Sequence, residues 1–257
     1  MFAAFAPVEF PHILGYDVAG EVLQSATFAP GTRVVGMLDP LRKGGYAELV
    51  AIADENLALI PAELDFSIAA AIPTAGLTGT QMIETVLNVQ RGAVILITGA
   101  LGAVGRFALH AAKARGAHVV AAVRGNRQAE ASALGAIEIV ALGEQAWAGA
   151  MFDHVIDTVG GEIVAPLCGS VKSGGRVISV ATDPIPTSGF ATPVEPFYVF
   201  PDGAMTGRLA MLVADRSVAV PIARVVPLSS AGEAQELASY GGGVGKIILE
   251  PDQAADP

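Results

Sequence analysis

The stretch with the clearest chemical meaning is Thr98-Gly99-Ala100-Leu101-Gly102-Ala103-Val104-Gly105. Three glycines at this spacing let a backbone come within contact distance of a pyrophosphate and let a helix pack closely on the strand before it. An anion there would rest on the positive end of the helix, where amide N–H groups have no intrahelical partner. A tight strand-to-helix turn without a ligand is the alternative use of the same glycines. The second informative stretch is Arg124-Gly125-Asn126-Arg127, with no acidic residue until Glu130. In a dinucleotide site, an acid after the second strand receives the ribose hydroxyls of NAD, whereas arginine there accommodates the 2′-phosphate of NADP. Arg124 and Arg127, with Asn126 between them, therefore point to NADPH, unless they are simply solvated loop residues.

Both stretches make sense only if strands and a helix hold them. Val94 to Thr98 is a continuous apolar run, the pattern of a parallel strand buried on both faces. Similar runs follow at His118 to Val123, Ile137 to Ala141, Val155 to Asp157 and Arg176 to Ala181. Between the first two, Val104, Phe107, Ala108, Ala111 and Ala112 fall on one face of a helix. Alternating strands and helices predict an α/β doubly wound parallel sheet of Rossmann type, with right-handed crossovers. The first 70 residues read differently. Val18 to Leu23, Arg33 to Met37, Tyr46 to Ala53 and Leu57 to Pro61 are short strand candidates punctuated by Pro30-Gly31 and Gly44-Gly45, as in a β-barrel-like module. A short helix after Phe66-Ser67 is expected to stop at Pro73, and Thr78 to Val89 to form another. Near the end, Phe197 to Phe200 reads as a strand, Met205 to Ala214 as a helix and Lys246 to Leu249 as a final strand.

Composition narrows the function further. The 257 residues carry 15 Lys+Arg against 25 Asp+Glu, a formal charge of −10. An acidic chain without a Lys/Arg cluster repels phosphate backbones, so nucleic acid is not an expected partner. Only 16% of residues are charged, against ~25% in ordinary domains, and 52% are hydrophobic, which excludes a disordered chain. The lone Cys168 provides neither a disulfide framework nor a thiolate metal site. His12, His110, His118 and His154 show no ligand spacing, so no metal site is expected. The longest glycine-laced apolar run, Gly92 to Gly105, is shorter than the ~18 residues that suggest a membrane span, and Met1 to Ala6 lacks the features of a secretion signal. The expected setting is the cytoplasm, without membrane attachment.

Taken in order, several segments resemble the medium-chain dehydrogenase/reductase superfamily, in its zinc-independent quinone oxidoreductase-like branch. They are Leu14-Gly15-Tyr16-Asp17-Val18-Ala19-Gly20-Glu21-Val22, Pro30-Gly31-Thr32-Arg33-Val34-Val35-Gly36, Gly44-Gly45-Tyr46-Ala47-Glu48 and Ala75-Gly76-Leu77-Thr78. The glycine loop follows, then Asp157-Thr158-Val159-Gly160-Gly161, Ser173-Gly174-Gly175-Arg176-Val177 and Gly245-Lys246-Ile247-Ile248-Leu249. The resemblance implies a Rossmann NADPH-binding domain, residues 74–209, inserted in a GroES-like β-barrel substrate domain made of 1–73 plus 210–257. Because members of that branch carry a further stretch before the Leu14-Gly15 segment, the substrate domain is expected to be N-terminally incomplete. Homodimers joined through the Rossmann sheets are also implied.

By position, the resemblance places Thr78 and the Phe197-Tyr198-Val199 segment near the nicotinamide, and Ala100, Leu101, Gly102, Ala103 and Val104 at the pyrophosphate. Arg124, Asn126 and Arg127 fall at the 2′-phosphate, while Thr158, Val159, Gly160, Val180 and Ala181 line the cofactor groove and Lys246 faces the cleft. Tyr16 stands where zinc alcohol dehydrogenases carry a metal-binding histidine, which argues against zinc. Without a Lewis acid, the expected reaction is hydride delivery from NADPH to a small quinone or α,β-unsaturated carbonyl. Tyr46 and Tyr16 are the candidate proton donors for the developing oxyanion; a barrel tyrosine packing its ring is the other role open to each. A short-chain dehydrogenase is ruled out by its Tyr-x-x-x-Lys requirement, since Tyr16, Tyr46, Tyr198 and Tyr240 are followed four residues later by Gly20, Val50, Asp202 and Val244. A non-catalytic NADPH-binding sensor is the alternative.

Overall fold

The computed structural model describes residues 11–40, 44–143, 151–239 and 245–252. The apolar start Met1 to Ala6 and Tyr240 lie outside them. Contacts divide the chain into two units, one of residues 1–77 with 200–257, the other of 78–199.

The inner unit is built on a six-stranded parallel sheet. Its strands are β4 (Val94–Thr98), β5 (His118–Val123), β6 (Glu138–Ala141), β7 (Phe152–Asp157), β8 (Val171–Ser179) and β9 (Val194–Pro196). Their spatial order is β6-β5-β4-β7-β8-β9, so chain progression reverses between β4 and β7. That is the strand order of the Rossmann fold, with its topological switch point beside β4. Strands buried on both faces need near-continuous apolar sequence, and Ile95, Leu96, Ile97, Val155 and Ile156 are wholly buried. Helix α3 (Ala103–Ala114) covers one face through Phe107, Ala108, Ala111 and Ala112, the residues expected from the spacing. Helix α4 (Gln128–Ala133) follows β5 after a short 3-10 turn at Gly125–Arg127, and α5 (Ala165–Cys168) precedes β8.

The outer unit carries two small sheets. Strands β1 (Asp17–Glu21), β2 (Arg33–Met37) and β3 (Leu57–Leu59) form an antiparallel sheet in that order, with Asp17 opposite Met37 and Val34 opposite Leu59. Strands β10 (Ile222–Pro227) and β11 (Lys246–Glu250) form a parallel pair. Helices α1 (Phe66–Ala70), α6 (Gly203–Ala214) and α7 (Ala231–Ser239) belong to the same unit. Asp202 caps α6 by accepting from the Met205 amide at 2.8 Å. Gly203 is packed so closely that a Cβ would meet the Glu55 and Leu57 carbonyls at 2.5 Å.

Four local expectations are corrected. Tyr46 to Ala53 is not a strand, because the Gly44, Gly45 and Tyr46 amides bond instead to the Ile13, Gly15 and Leu14 carbonyls. Pro73 does not merely end a helix but begins α2 (Pro73–Gln81), where its missing N–H is one of the groups a first turn leaves unpaired anyway. The helix expected to run to Val89 changes at Met82–Val86 into a π-turn with Met82 and Ile83 wholly buried. The strand expected at Phe197 to Phe200 lies earlier, at Val194–Pro196. Residue 209, the boundary expected for the Rossmann segment, falls inside α6, which packs on β3 and on the 3-10 turn Asp54–Asn56.

Candidate functional site

The residues expected at the pyrophosphate, the 2′-phosphate and the groove lie where β4, β5, β7 and β8 end, within the inner unit. Gly99 to Gly102 follow β4, Arg124 to Arg127 follow β5, Thr158 to Gly160 follow β7, and Val180 and Ala181 follow β8. Ligands of open α/β sheets bind outside these carboxyl ends, at the switch point.

The turn after β4 has geometry only glycine tolerates. Gly99 has φ +63°, and a Cβ there would meet Thr158 Oγ1 at 2.3 Å. A Cβ on Gly105 would meet the Gly99 carbonyl oxygen at 2.3 Å and Ala100 Cα at 2.7 Å, so the helix presses on the turn itself. Gly102 is the N-cap of α3 and offers no side-chain acceptor, which leaves the first-turn amides without a capping bond. It is exposed, and only the Gly99 oxygen, at 3.2 Å, approaches its vacant Cβ position. A phosphate group fits this cradle in charge and in space. Ala100 and Leu101 have only backbone to offer such a group, since their side chains are buried in the core.

Asp157 ties the floor of the site together. Wholly buried, it accepts from Thr98 Oγ1 at 2.5 Å, from Ser179 Oγ at 2.7 Å and from the Val159 and Gly160 amides at 3.1 Å. Thr158 adds a bond from its hydroxyl to the Thr98 carbonyl at 2.8 Å. One carboxylate thus fixes the ends of β4, β7 and β8 relative to one another. Sequence reasoning did not assign Asp157 a role; its signal was an acid ending a strand otherwise apolar at Val155-Ile156.

After β5, the two arginines differ. Arg124 is exposed, and its side chain has no hydrogen bond or ion pair among the described residues. Arg127 donates from Nε and Nη2 to Glu130 Oε2, at 3.0 and 2.5 Å. Glu130 Oε1 accepts from Arg106 Nη2, and Arg106 Nε donates to the Leu101 carbonyl at 3.0 Å. Burial disfavours the Glu130 carboxylate, but the Arg127 and Arg106 guanidiniums outweigh it and hold its pKa below the ordinary value. Asn126 is exposed. Thr78 is buried in the inner unit. Phe197 packs on the core, whereas Tyr198 is 63% exposed and Val199 partly so.

Tyr16, Tyr46 and Lys246 belong to the outer unit. Gln235 Nε2 donates to Tyr46 Oη at 2.7 Å, which leaves the phenolic hydrogen free to be given to another acceptor. Burial raises the Tyr16 pKa, keeping that phenol protonated. Lys246 Nζ donates to Asp17 Oδ2 at 2.7 Å. A cavity of about 550 Å³ beside β1 is lined by residues such as Val18, Gly20, Val22, Ala47 and Val50; neither tyrosine lines it.

The fold and the glycine turn define a Rossmann-type domain with a candidate dinucleotide site. A family profile described as zinc-binding dehydrogenase matches residues 116–249. The chloroplast envelope quinone oxidoreductase homolog of Arabidopsis thaliana is 30% identical over 275 residues, 98% of this chain and 83% of that protein. The mitochondrial NAD(P)H oxidoreductase RTN4IP1 of Mus musculus is 33% identical over 189 residues, 68% of this chain and 48% of that protein. The solved quinone oxidoreductase from Coxiella burnetii superposes with a TM-score of 0.80 at 28% identity, over 94% of this chain and 80% of its own. The chain belongs to the medium-chain dehydrogenase/reductase superfamily, in its quinone oxidoreductase-like branch, and is an oxidoreductase of that family with the GroES-like plus Rossmann architecture.

The profile's description names zinc, and the described residues offer no donor set that fits it. Among the described residues no group of three or more His, Cys, Asp or Glu side chains could hold a metal ion. The Cys168 thiol is pushed well above its ordinary pKa by burial, and further by the Asp157 charge, the wrong direction for a thiolate ligand. No described helix is long and apolar enough to cross a membrane.

Proposed function

We propose that this protein is a zinc-independent, NADPH-dependent reductase that transfers hydride to a quinone or an α,β-unsaturated carbonyl. The observation that carries the reading is the uncapped N-terminus of α3 beneath the glycine turn, one strand away from Arg124, whose side chain is unpaired among the described residues. The first accepts a pyrophosphate and the second a 2′-phosphate. The names of the relatives, quinone oxidoreductase and NAD(P)H oxidoreductase, support the acceptor class and the nicotinamide cofactor.

When bound, the nicotinamide supplies the hydride, and the hard chemistry belongs to it. The protein's share is to hold the reactants and to place a proton donor. Ala100 to Val104 bind the pyrophosphate through the backbone, Arg124 and Arg127 the 2′-phosphate, and Thr158 to Gly160 with Val180 and Ala181 line the groove. Thr78, Phe197, Tyr198, Val199 and Lys246 belong to the nicotinamide end. Tyr46, oriented by Gln235, gives its phenolic proton to the oxygen of the reduced acceptor, and Tyr16 is the second candidate. Holding the donor and acceptor in reactive geometry supplies several kcal/mol of the barrier reduction. We place the protein in the cytoplasm as a homodimer joined through the Rossmann sheets, whose edge strand β9 pairs with β8 alone among the described strands.

The test is oxidation of NADPH and NADH by the purified chain in the presence of small quinones and short enones. Acceptor-dependent turnover that favours NADPH, lost as a preference in Arg124→Asp/Arg127→Asp, is the expected result. Tyr46→Phe should lower kcat by about 10²-fold or more, without weakening NADPH binding. Tight binding without turnover would make the protein an NADPH sensor, and unchanged affinities in the double variant would overturn the cofactor pocket.

A further inference from the structure

We infer that Glu130 is a built-in competitor for the 2′-phosphate: it occupies Arg127 when no dinucleotide is bound and thereby limits the preference for NADPH over NADH. The inference rests on the NADPH reading above and names a specificity-determining residue within that same site.

Three guanidinium groups surround the end of β5, and one carboxylate is shared by two of them. The two oxygens of Glu130 are divided: Oε1 takes Arg106 and Oε2 takes Arg127. The partners are unequal. The Arg106 side chain is only 7% exposed and is tied through Nε to the Leu101 carbonyl of the glycine turn, so it is fixed. That of Arg127 is 27% exposed, lies on the short turn after β5 and, among the described residues, bonds to Glu130 alone, so it can leave. Departure of Arg127 strands no charge, because Glu130 keeps Arg106 as its counterion and Arg106 keeps Glu130.

A 2′-phosphate arriving at Arg124 meets Arg127 already engaged. It offers three acceptor oxygens and a charge of about −1.5 to −2, against the single oxygen that Glu130 gives Arg127. The exchange is therefore favourable, but it must displace an existing ion pair, and the remaining carboxylate repels the phosphate. NADH, which lacks the 2′-phosphate, incurs neither penalty. Glu130 accordingly acts on the ratio of the two affinities through Arg127, while its bond to Arg106 serves the glycine turn that both cofactors share.

The probes are 2′,5′-ADP and 5′-AMP, which differ only in the 2′-phosphate, together with NADPH and NADH. Dissociation constants are measured for the wild type, Glu130→Gln, Arg127→Gln and the Glu130→Gln/Arg127→Gln pair. Removing one negative charge a few ångströms from the phosphate should raise the 5′-AMP to 2′,5′-ADP ratio of constants by about tenfold. In the Arg127→Gln background the same substitution should raise the ratio clearly less, because only the direct repulsion of the phosphate is then relieved. A ratio that falls or stays constant in Glu130→Gln, or rises equally without Arg127, overturns the inference while the NADPH reading stands. A wild-type ratio of one defeats the NADPH reading instead. Should Glu130→Gln not fold, because Arg106 is left buried without a counterion, Arg106→Gln/Glu130→Gln removes that charge and is judged by the same ratio.

Discussion

Lys246 Nζ lies 2.7 Å from Asp17 Oδ2, joining the last strand of the outer unit to its first. The other oxygen, Asp17 Oδ1, accepts from the amide and the hydroxyl of Thr74 at 2.6 and 2.5 Å. A single carboxylate therefore fastens β1, the start of α2 and β11. Lys246→Met removes the charged partner from a carboxylate only 15% exposed and should cost about 1–3 kcal/mol. Urea unfolding measures it; an unchanged midpoint would mean that Thr74 alone satisfies Asp17.

Gly105→Ala should injure cofactor binding more than its size suggests. The added methyl would meet backbone at 2.3 and 2.7 Å, so the turn or the helix must shift. Overpacking of this kind costs about 1–3 kcal/mol, and displacement of a positioning element by about 1 Å can lower turnover by about 100-fold. Fluorescence titration with the dinucleotide would show weakened binding, whereas unaltered affinity would separate the turn from the phosphate.

Asp157→Ala should be the most destabilising of these changes. It would leave the hydroxyls of Thr98 and Ser179 and the amides of Val159 and Gly160 without their acceptor, and all but Val159 belong to buried residues. A loss of at least about 3 kcal/mol follows. In a protein of this size that lowers Tm by roughly 6–12 °C. A calorimetric shift of a degree or two would show that water replaces the carboxylate.

The inner unit should be acid-labile, with a definite sign. The Asp153 carboxyl is held below its ordinary value by Lys172 and by the Val94 amide, and Glu195 by Arg176. Burial lowers the pKa of His154, whose Nδ1 accepts from the Arg176 amide. In each case the unfolded chain binds the proton more readily than the folded one, so stability rises with pH. The contribution is complete above the ordinary histidine value of 6.5 and begins to fall below it. It falls further as pH drops through the ordinary carboxylate values of 4.5 and 3.8. Unfolding midpoints across this range should show the decline, and Asp153→Asn should flatten its lower part.

The parallel sheet was legible because its strands are apolar on both faces: β4 and β5 coincide with the runs at Val94 and His118. The glycine turn was legible for a local reason too, since Gly99 answers a positive φ and Gly105 a close backbone contact. What escaped were pairings between distant residues. Nothing near Glu130 announces that Arg106, 24 residues earlier, will share it with Arg127. Strand β10 and helix α7 went unread because their pattern is only half-buried, with Arg224 and Val225 exposed and Ala234 the one buried residue of the helix. The segment after Gly45 looked like a strand by composition, yet its first amides turn back to Ile13–Gly15.

The interleaving of the two units also governs how the chain is made. The nucleotide-binding unit is one uninterrupted stretch, so all its strands are present once residue 199 has left the ribosome. The other unit is assembled from both ends of the chain. Asp17 is synthesised 229 residues before Lys246, a delay of about 10–50 s at ~5–20 residues per second. Throughout that interval β1 to β3 must wait without the strand that will fasten β1.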